Sequence, residues 1–428
     1  VPVHRIPVGF DTTEPPGSFT PSPAATSSSS KSGRRQGNTI LDRLAACVDR
    51  NMPLDTWWPL FRLRERSIRR FAAAQRPDVV WSTGDPWSSH WLGWRLSKEL
   101  GVPWVADYRD PWTLSRVRIR ERSPFSERVD RRLERMFLTR ATRVVFTCQA
   151  AATRYLERFP ELAGRVHVVE NSAFEPRSAS LAQDPPPGPA PDSPDFAAPA
   201  APAAPPAAAP ARDGAFRMLF FGSFRRLSPL DPVLDMLDAV RKQLPNPPGA
   251  PPPFRIHHIG PLLAEDRERV EARGLAGWFR SMEPVADGRF DRVLNSFDLL
   301  LLSTHPMRDD IIPAKLWEYL SVERPILSLC PNPEVGEWID RFRAGRHLPD
   351  PHQAADALLA HLAHLAACRS DDQESGLSGN APSPSPFPSD PVPAAERADR
   401  ISARNMARRM ARVLDEAAAA GRRGRQRP

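Results

Sequence analysis

Short apolar strands alternate with helices along most of this chain, and a proline-rich break divides the alternation into two similar halves. The first half spans about residues 40 to 177 and the second about residues 214 to 368. Strands that alternate with helices form a parallel sheet covered by helices on both faces. We therefore predict an α/β fold with two Rossmann-like domains that face each other across a cleft.

Individual elements follow from the spacing of the apolar residues. The predicted strands are residues 78–82, 102–106, 143–148 and 166–170 in the first half and 216–221, 254–259, 299–303 and 325–329 in the second. Residues 39–75 carry helical periodicity, and the further predicted helices are residues 88–100, 126–139, 150–158, 230–244, 313–321 and 354–367.

Proline marks the regions that we do not expect to fold. The chain has 50 prolines in 428 residues, about twice the average usage, and most of the excess lies in a few tracts. Such tracts cannot bury enough apolar surface to offset the entropy lost on ordering. The predicted organisation is an N-terminal domain at 1–177 with a loop or disordered insert at 11–38, a disordered linker at 178–213, a C-terminal domain at 214–368, a disordered tract at 369–392 and a closing helix at 393–420.

Charge and cysteine usage narrow the class of protein. The net charge of +8 favours anionic partners such as phosphate-bearing ligands or acidic lipid head groups, and a solvated arginine-rich surface explains it equally well. The four cysteines stand alone, so the sequence predicts neither a zinc site nor a disulfide framework. There is no apolar run long enough to span a membrane and no visible signal peptide. These features predict a cytoplasmic protein without a metal centre.

The most informative stretch runs from Asp310 to Leu320 and reads Asp-Ile-Ile-Pro-Ala-Lys-Leu-Trp-Glu-Tyr-Leu. Pro313 is suited to the first turn of a helix, where exposed backbone N–H groups favour a diphosphate. Lys315 and Glu318 are three residues apart and share one face of that helix. They match a nucleotide diphosphate and the hydroxyls of its ribose, and the alternative is an ordinary surface ion pair.

This stretch resembles the donor-binding motif of the family-four retaining glycosyltransferases, which have the two-domain GT-B architecture. In that family two carboxylates stand with seven residues between them. Asp310 holds the first position, where the family usually has Glu, and Glu318 holds the second. The resemblance implies that Asp310 contacts the donor sugar as a catalytic residue and that Glu318 holds the ribose.

A second resemblance lies at residues 218–226, where a strand ends in Gly222 and Ser223. Glycine there allows close approach of the backbone to a phosphate. The family neutralises the donor diphosphate with a basic pair after this turn, which implies that role for Arg225 and Arg226. The alternative is two surface arginines in a loop.

Residues 76–90 and 103–113 resemble the N-terminal domain of the same family. Both stretches end a strand in polar residues at the expected cleft edge. The resemblance implies an acceptor-side set, with His90 and Asp110 as catalytic candidates; its members are Asp85, His90, Asp107, Arg109 and Asp110. The alternative for His90 is a solvent-facing place in the first helical turn. Trp87 and Trp112 either stack on a sugar or pack inside the domain, and we favour packing. Asn171 matches a structural turn of the family.

Three functions remain open at this point. The first is retaining transfer of a sugar from a nucleotide-sugar donor to an acceptor, in which the leaving phosphate takes the acceptor proton and cationic side chains replace a metal. A lipid-linked acceptor in cell-envelope polysaccharide or glycolipid assembly follows from the family alone. The second is a nucleotide-sugar 2-epimerase of the same architecture. The third is an inactive basic scaffold for a membrane or nucleic acid, although no nucleic-acid motif is visible and we expect no nucleic-acid partner.

Two further expectations concern particular segments. The family begins with a strand and a Gly-rich loop, which have no counterpart before residue 10, so we expect this piece to be absent and the activity of this chain to depend on it. Residues 116–143 carry ten arginines against four acids. Basic residues near an anionic membrane each contribute about 1 kcal/mol of binding, so this segment predicts peripheral membrane binding, and a solvated helix paired to its own acids is the alternative.

Overall fold

The computed structural model describes residues 47–117, 121–173, 216–244, 252–260, 262–282, 290–371 and 384–425. The predicted insert at 11–38, the linker at 178–213, residues 372–383 of the tract at 369–392 and the beginning of the chain lie outside the described residues. The predictions for those segments therefore stay predictions.

A four-stranded parallel sheet forms the N-terminal half, with strand order β1-β2-β3-β4. Its strands are β1 (Val80–Gly84), β2 (Trp104–Tyr108), β3 (Arg143–Phe146) and β4 (Val166–Val168). Its helices are α1 (Trp58–Gln75), α2 (Ser88–Leu100), α3 (Pro124–Arg140) and α4 (Gln149–Arg158). Because all strands run parallel, the loops that follow β1 and β2 meet at one edge of the sheet, with Gly84 opposite Tyr108.

A six-stranded parallel sheet forms the C-terminal half, with strand order β10-β9-β8-β5-β6-β7. The strands are β5 (Phe216–Phe221), β6 (Phe254–Ile259), β7 (Phe279–Met282), β8 (Leu299–Leu302), β9 (Ile326–Ser328) and β10 (Gly345–His347). The helices are α5 (Asp231–Gln243), α6 (Ala264–Ala272), α7 (Phe290–Asn295), α8 (Lys315–Leu320), α9 (Pro333–Arg341) and α10 (Pro351–Asp371). The strand order reverses between β5 and β8, and open α/β sheets bind ligands at the carboxyl ends of strands beside such a reversal.

The end of the chain returns to the N-terminal sheet. Helices α11 (Ala394–Ile401) and α12 (Ala403–Arg425) replace the single helix predicted at 393–420, because Ser402 is extended between them. Val413 and Ala417 of α12 are buried against Val105 and Val145 on one face of that sheet. The other face contributes to a large apolar cluster that continues into the C-terminal half.

The two predicted Rossmann-like halves are confirmed, and strands β5 and β6 and helix α2 have the predicted bounds. The elements that the sequence analysis missed are α6, α7, α9, β7 and β10. Helix α6 escaped notice because its residues are mainly charged, so the apolar stripe that signals a helix is too weak to read.

Candidate functional site

Gly222 directly follows β5 at the reversal of strand order, and it has a conformation that only glycine adopts easily. Its φ is +114°. A Cβ atom at this position would lie 2.0 Å from Nζ of Lys315, so any side chain would collide with the lysine. Gly222 and Lys315 belong to the two motifs predicted for the donor site. They are 93 residues apart in the chain and meet here.

The Lys315 ammonium is partly buried and lies over aromatic rings instead of beside an acid. Its Nζ is 5.1 Å from the ring centroid of Phe220 and 5.9 Å from that of Phe221. Burial, and then the charge of Arg225, lower the pKa of Lys315 to about 8. Within the described part of the chain, no carboxylate forms an ion pair with this ammonium.

Arg225 and Arg226 follow Gly222 in an exposed turn, which two backbone hydrogen bonds between Arg225 and Ser228 close at 3.0 and 2.8 Å. Arg225 is near enough to lower the pKa of Lys315, and Arg226 contributes, after burial and Arg308, to lowering the pKa of His305. We call Lys315, Arg225 and Arg226 the donor-side cation cluster. It gathers positive charge at the carboxyl end of β5.

Helix α8 begins at Lys315, two residues later than predicted, and Pro313 lies just before it. The Pro313 carbonyl accepts the first hydrogen bond of the turn from Leu316 N, at 3.0 Å. Glu318 is half-buried one turn after Lys315. Tyr319 anchors the helix, because its hydroxyl accepts from Phe221 N at 3.1 Å.

His258 supports the Gly222 turn and was missed by the sequence analysis. Its Nε2 lies 2.6 Å from the Gly222 carbonyl oxygen and donates to it, since a carbonyl only accepts. The ring stacks on Phe224 with 4.9 Å between centroids. Burial lowers the pKa of His258, and the charge of Lys315 adds to that effect.

Asp310 is fully buried, and both of its carboxylate oxygens are bonded to arginines. Oδ1 accepts from Arg308 Nε at 3.2 Å, and Oδ2 accepts from Arg154 Nη1 at 2.9 Å. The resemblance implied an open carboxylate that contacts the donor sugar. The structure corrects that expectation for this arrangement of the two domains, because the carboxylate has no accessible surface.

The same arginines extend into an ion-pair chain between the two domains. Arg308 Nη2 is 3.0 Å from Asp110, and Arg154 Nη2 is 2.8 Å from Asp309. Asp309 also pairs with the exposed Arg116 at 3.3 Å. We call the set the interdomain ion-pair chain; its members are Asp110, Arg308, Asp310, Arg154, Asp309 and Arg116. Arg308 and Arg154 were missed, since nothing near them in sequence indicates partners so far away.

A pocket lies at the edge of the N-terminal sheet, beside the interdomain ion-pair chain. Asp85, Asp110 and Trp112 line it from the loops after β1 and β2, and Arg308 lines it from the other domain. Asp85 is exposed and the Asp110 side chain is 45% exposed. Trp87 also lines the pocket and stacks on Trp112 with 5.0 Å between ring centroids, so both indoles are largely packed. Asp85 and Asp110, both members of the predicted acceptor-side set, therefore line the same pocket.

Asp107 and Arg109 lie outside that pocket lining. Asp107 is 1% exposed, and burial raises its pKa to about 6 although the charge of Arg109 lowers it. Arg109 donates to the side-chain oxygen of Asn171 at 2.5 Å. Arg109 and Asn171 thus tie the end of β2 to the segment after β4.

His90 is fully buried, which corrects both sequence-based interpretations of this residue. Its ring stacks on Tyr108 with 4.7 Å between centroids, and Nδ1 is 2.9 Å from the Ser82 hydroxyl. Burial lowers the pKa of His90 to about 3, so the ring is neutral at physiological pH. The structure places His90 among the aromatic core residues and away from solvent.

Glu134 is a buried carboxylate beneath the pocket, and the sequence analysis counted it only as one of the acids of an arginine-rich helix. It accepts from Tyr155 Oη at 2.5 Å and from the backbone and hydroxyl of Thr113. Tyr155 Oη in turn accepts from Trp112 N at 2.9 Å. Burial raises the pKa of Glu134 to about 7. This network holds the loop that carries Asp110 and Trp112.

The arginines of the 116–143 segment are paired more often than predicted. Of the ten, those at 118 and 120 lie outside the described residues. Five others form ion pairs with acids, two within the segment and three elsewhere. Within the described chain, Arg128, Arg132 and Arg140 pair with no acid. Most of the described arginines of this segment are therefore paired with acids of the protein itself.

A comparison with known protein families finds a match in the N-terminal part of the chain. Residues 1–172 match the family model of the glycosyl transferase 4-like domain. No curated protein sequence matches the chain significantly. The family match lies in the N-terminal part of the chain and agrees with the resemblance that residues 76–90 and 103–113 indicated.

The solved structures agree on the fold. Anabaena Alr3699/HepE in complex with UDP has 16% sequence identity and a TM-score of 0.51, with 86% of this chain and 85% of that chain covered. The UDP-glucose complex of the same protein has 15% identity and a TM-score of 0.51, with 84% of each chain covered. Sucrose-phosphate synthase from Thermosynechococcus elongatus has 14% identity, a TM-score of 0.46 and coverage of 88% and 80%. The two HepE structures confirm the predicted GT-B-type fold. No helix in the described part of the chain combines the length and apolar character needed to cross a membrane.

Proposed function

We propose that this chain is a glycosyltransferase that takes a sugar from a uridine nucleotide sugar, bound between the Gly222 turn and helix α8. The observation that carries the proposal is the partly buried Lys315 ammonium, which lies against Gly222 at the reversal of strand order and has no acidic partner among the described residues. Taking a cation out of water is costly unless an anion compensates for it. A diphosphate supplies that anion.

The choice of uridine rests on similarity. The HepE structures that share this fold contain UDP or UDP-glucose. In our proposal Lys315, Arg225 and Arg226 neutralise the departing diphosphate, and Glu318 holds the ribose. Such charge stabilisation, together with positioning of the two substrates, accounts for catalysis without a protein nucleophile. By resemblance to the family-four enzymes, the transferred group is a hexose and its anomeric configuration is retained.

The acceptor is proposed to enter the pocket lined by Asp85, Asp110 and Trp112. Carboxylates beside indole rings suit the hydroxyls and apolar faces of a sugar. An acceptor sugar of a cell-envelope polysaccharide or glycolipid fits this lining. No specific observation favours the epimerase or scaffold alternatives over this function.

Calorimetry with UDP, GDP and ADP tests the donor site. We expect UDP to bind most tightly. Replacement of Lys315 by Met should weaken UDP binding by about 1.5–3 kcal/mol, or roughly 10- to 150-fold, because one charged hydrogen-bond donor to the diphosphate is lost. The exposed Lys242 of α5 is a matched control, and Lys242→Met should bind UDP normally. A chain that binds none of the three nucleotides would overturn the proposal.

We also propose that the protein binds the cytoplasmic face of an anionic membrane through its N-terminal domain. The support is a set of exposed apolar side chains among arginines: Leu63 is 77% exposed, Phe125 65% and Trp57 44%. Co-sedimentation with anionic vesicles should weaken as salt rises to about 0.15 M, where the screening length is about 8 Å, and should weaken in Leu63→Asp and Phe125→Asp variants. Equal, negligible binding to neutral and anionic vesicles would contradict this part.

A further inference from the structure

Arg308 is a buried arginine that bridges carboxylates from two different domains. Its side chain is 2% exposed. Nη2 donates to Asp110 at 3.0 Å, and Nε donates to Asp310 at 3.2 Å. Asp110 follows β2 of the N-terminal sheet, whereas Arg308 and Asp310 precede helix α8 of the C-terminal half. One guanidinium therefore fixes a loop of each domain.

The loop that carries Arg308 is also held from its other side. Asp310 and Asp309 both pair with Arg154 of α4, at 2.9 and 2.8 Å. Although burial lowers it, the pKa of Arg154 is raised overall by its contacts with Asp309 and Asp310. Helix α4 makes a second contact near its beginning. There, Gln149 N and the next backbone N–H donate to Glu334 of the C-terminal half, at 2.8 and 2.6 Å. The loop is thus clamped between two segments of the N-terminal domain.

The position of this loop connects the two proposed substrates. Asp110 lines the pocket proposed for the acceptor. Residues 308–310 stand just before Pro313 and Lys315, which belong to the proposed donor site. A shift of the loop would move the pocket and the donor helix relative to each other.

We infer that Arg308 is a positioning residue that sets the separation between the acceptor pocket and the donor helix, acting through Asp110 and Asp310. The planar fork of an arginine bonds two carboxylates in a defined geometry, which the point charge of a lysine cannot reproduce. The inference goes beyond the proposed function, and only its nucleotide-binding arm rests on that proposal.

The first arm measures domain separation without any ligand. Spin labels are placed on cysteines introduced at Glu157 of α4 and Lys242 of α5, both exposed, in the full chain with Cys47 and Cys368 changed to serine. Double electron–electron resonance should give a narrow distance distribution. Arg308→Met and Arg308→Lys should both broaden it.

The matched control is Arg273, which pairs with Asp235 and Asp238 inside one domain. Arg273→Met removes a paired arginine of similar kind and should leave the distribution narrow. If Arg308→Met does not fold, Arg308→Lys decides alone, because it keeps the charge. An unchanged distribution in the folded Arg308 variants overturns the inference.

The second arm measures UDP affinity in the same variants. We expect the Arg308→Lys variant to bind UDP at least about tenfold more weakly than the unchanged chain. A loss of this size lies within the usual range of coupling between sites. A broadened distribution with unchanged UDP affinity would mean that Arg308 only joins the domains, which also overturns the positioning role. If the parent chain does not bind UDP, the proposed function fails, and the distance arm still decides whether Arg308 sets the separation.

Discussion

The donor-side cation cluster and the interdomain ion-pair chain are both rich in arginine or lysine, yet they are built in opposite ways. In the first, Lys315 lies over aromatic rings, and Arg225 and Arg226 are exposed with no acidic partner among the described residues. In the second, Arg308 and Arg154 each bond two carboxylates. A buried cation without an anion is costly, whereas a paired one is compensated within the protein. The contrast distinguishes cations that are available to an anionic ligand from cations that the protein's own carboxylates neutralise.

The largest effect that this comparison predicts is on stability. Asp310→Ala leaves Arg308 and Arg154 each without one buried partner, and loss of one member of a buried pair costs about 3–5 kcal/mol. Urea denaturation should show this decrease in the free energy of unfolding. Asp390→Ala removes an exposed partner of Arg343 and should cost less than about 1 kcal/mol. Similar stability of the two variants would break the comparison.

A smaller effect is expected on ligand affinity from the donor helix. Glu318→Ala should weaken UDP binding by about 1.5–3 kcal/mol, because a charged hydrogen bond to the ribose is lost. The thermal unfolding midpoint should stay close to that of the unchanged chain, since Glu318 is only half-buried. Glu337→Ala, on α9, serves as the control. Unchanged calorimetric affinity for UDP with a normal circular dichroism spectrum would remove Glu318 from the site.

The pH dependence of UDP binding sharpens the role of Lys315. Burial lowers the pKa of this lysine to about 8, so the free chain loses the ammonium proton as the pH rises through that value. UDP affinity should therefore fall above about pH 7.5, by up to about tenfold per pH unit. Lys315→Arg should remove the fall, because a guanidinium stays charged over this range. A pH profile that is identical in both proteins would exclude Lys315 as the diphosphate ligand.

A last prediction concerns the network beneath the pocket. Burial raises the pKa of Glu134 from 4.5 to about 7. Between those values the folded state keeps a proton that the unfolded state has lost, so this group makes stability fall as the pH rises from about 4.5 to about 7. Glu134→Gln keeps the oxygen that accepts from Tyr155 and should flatten this slope. Parallel stability curves for the two proteins in urea would show that Glu134 does not titrate in this range.

Local pattern was enough to predict the fold and the donor motif. The alternation of strands and helices was predicted because burial on both faces makes parallel strands apolar and short. Gly222 and Lys315 were predicted for one site because the stretches that contain them resemble the donor-binding motifs of the same family. Helix α6 was missed because its few apolar residues leave no clear period.

What the sequence by itself determined about this protein is therefore the two-domain architecture and the residues at the ends of its strands, since these depend on neighbours a few positions away. Only the tertiary structure decided which charged groups remain accessible to a ligand and which are buried or paired. Asp310 occupies the position where the family motif has a sugar ligand, yet arginines at 154 and 308 bury it. His90 begins a helix and lies in an aromatic core. In both cases the deciding partners are brought from elsewhere by folding, and burial and pairing are properties of the assembled domains.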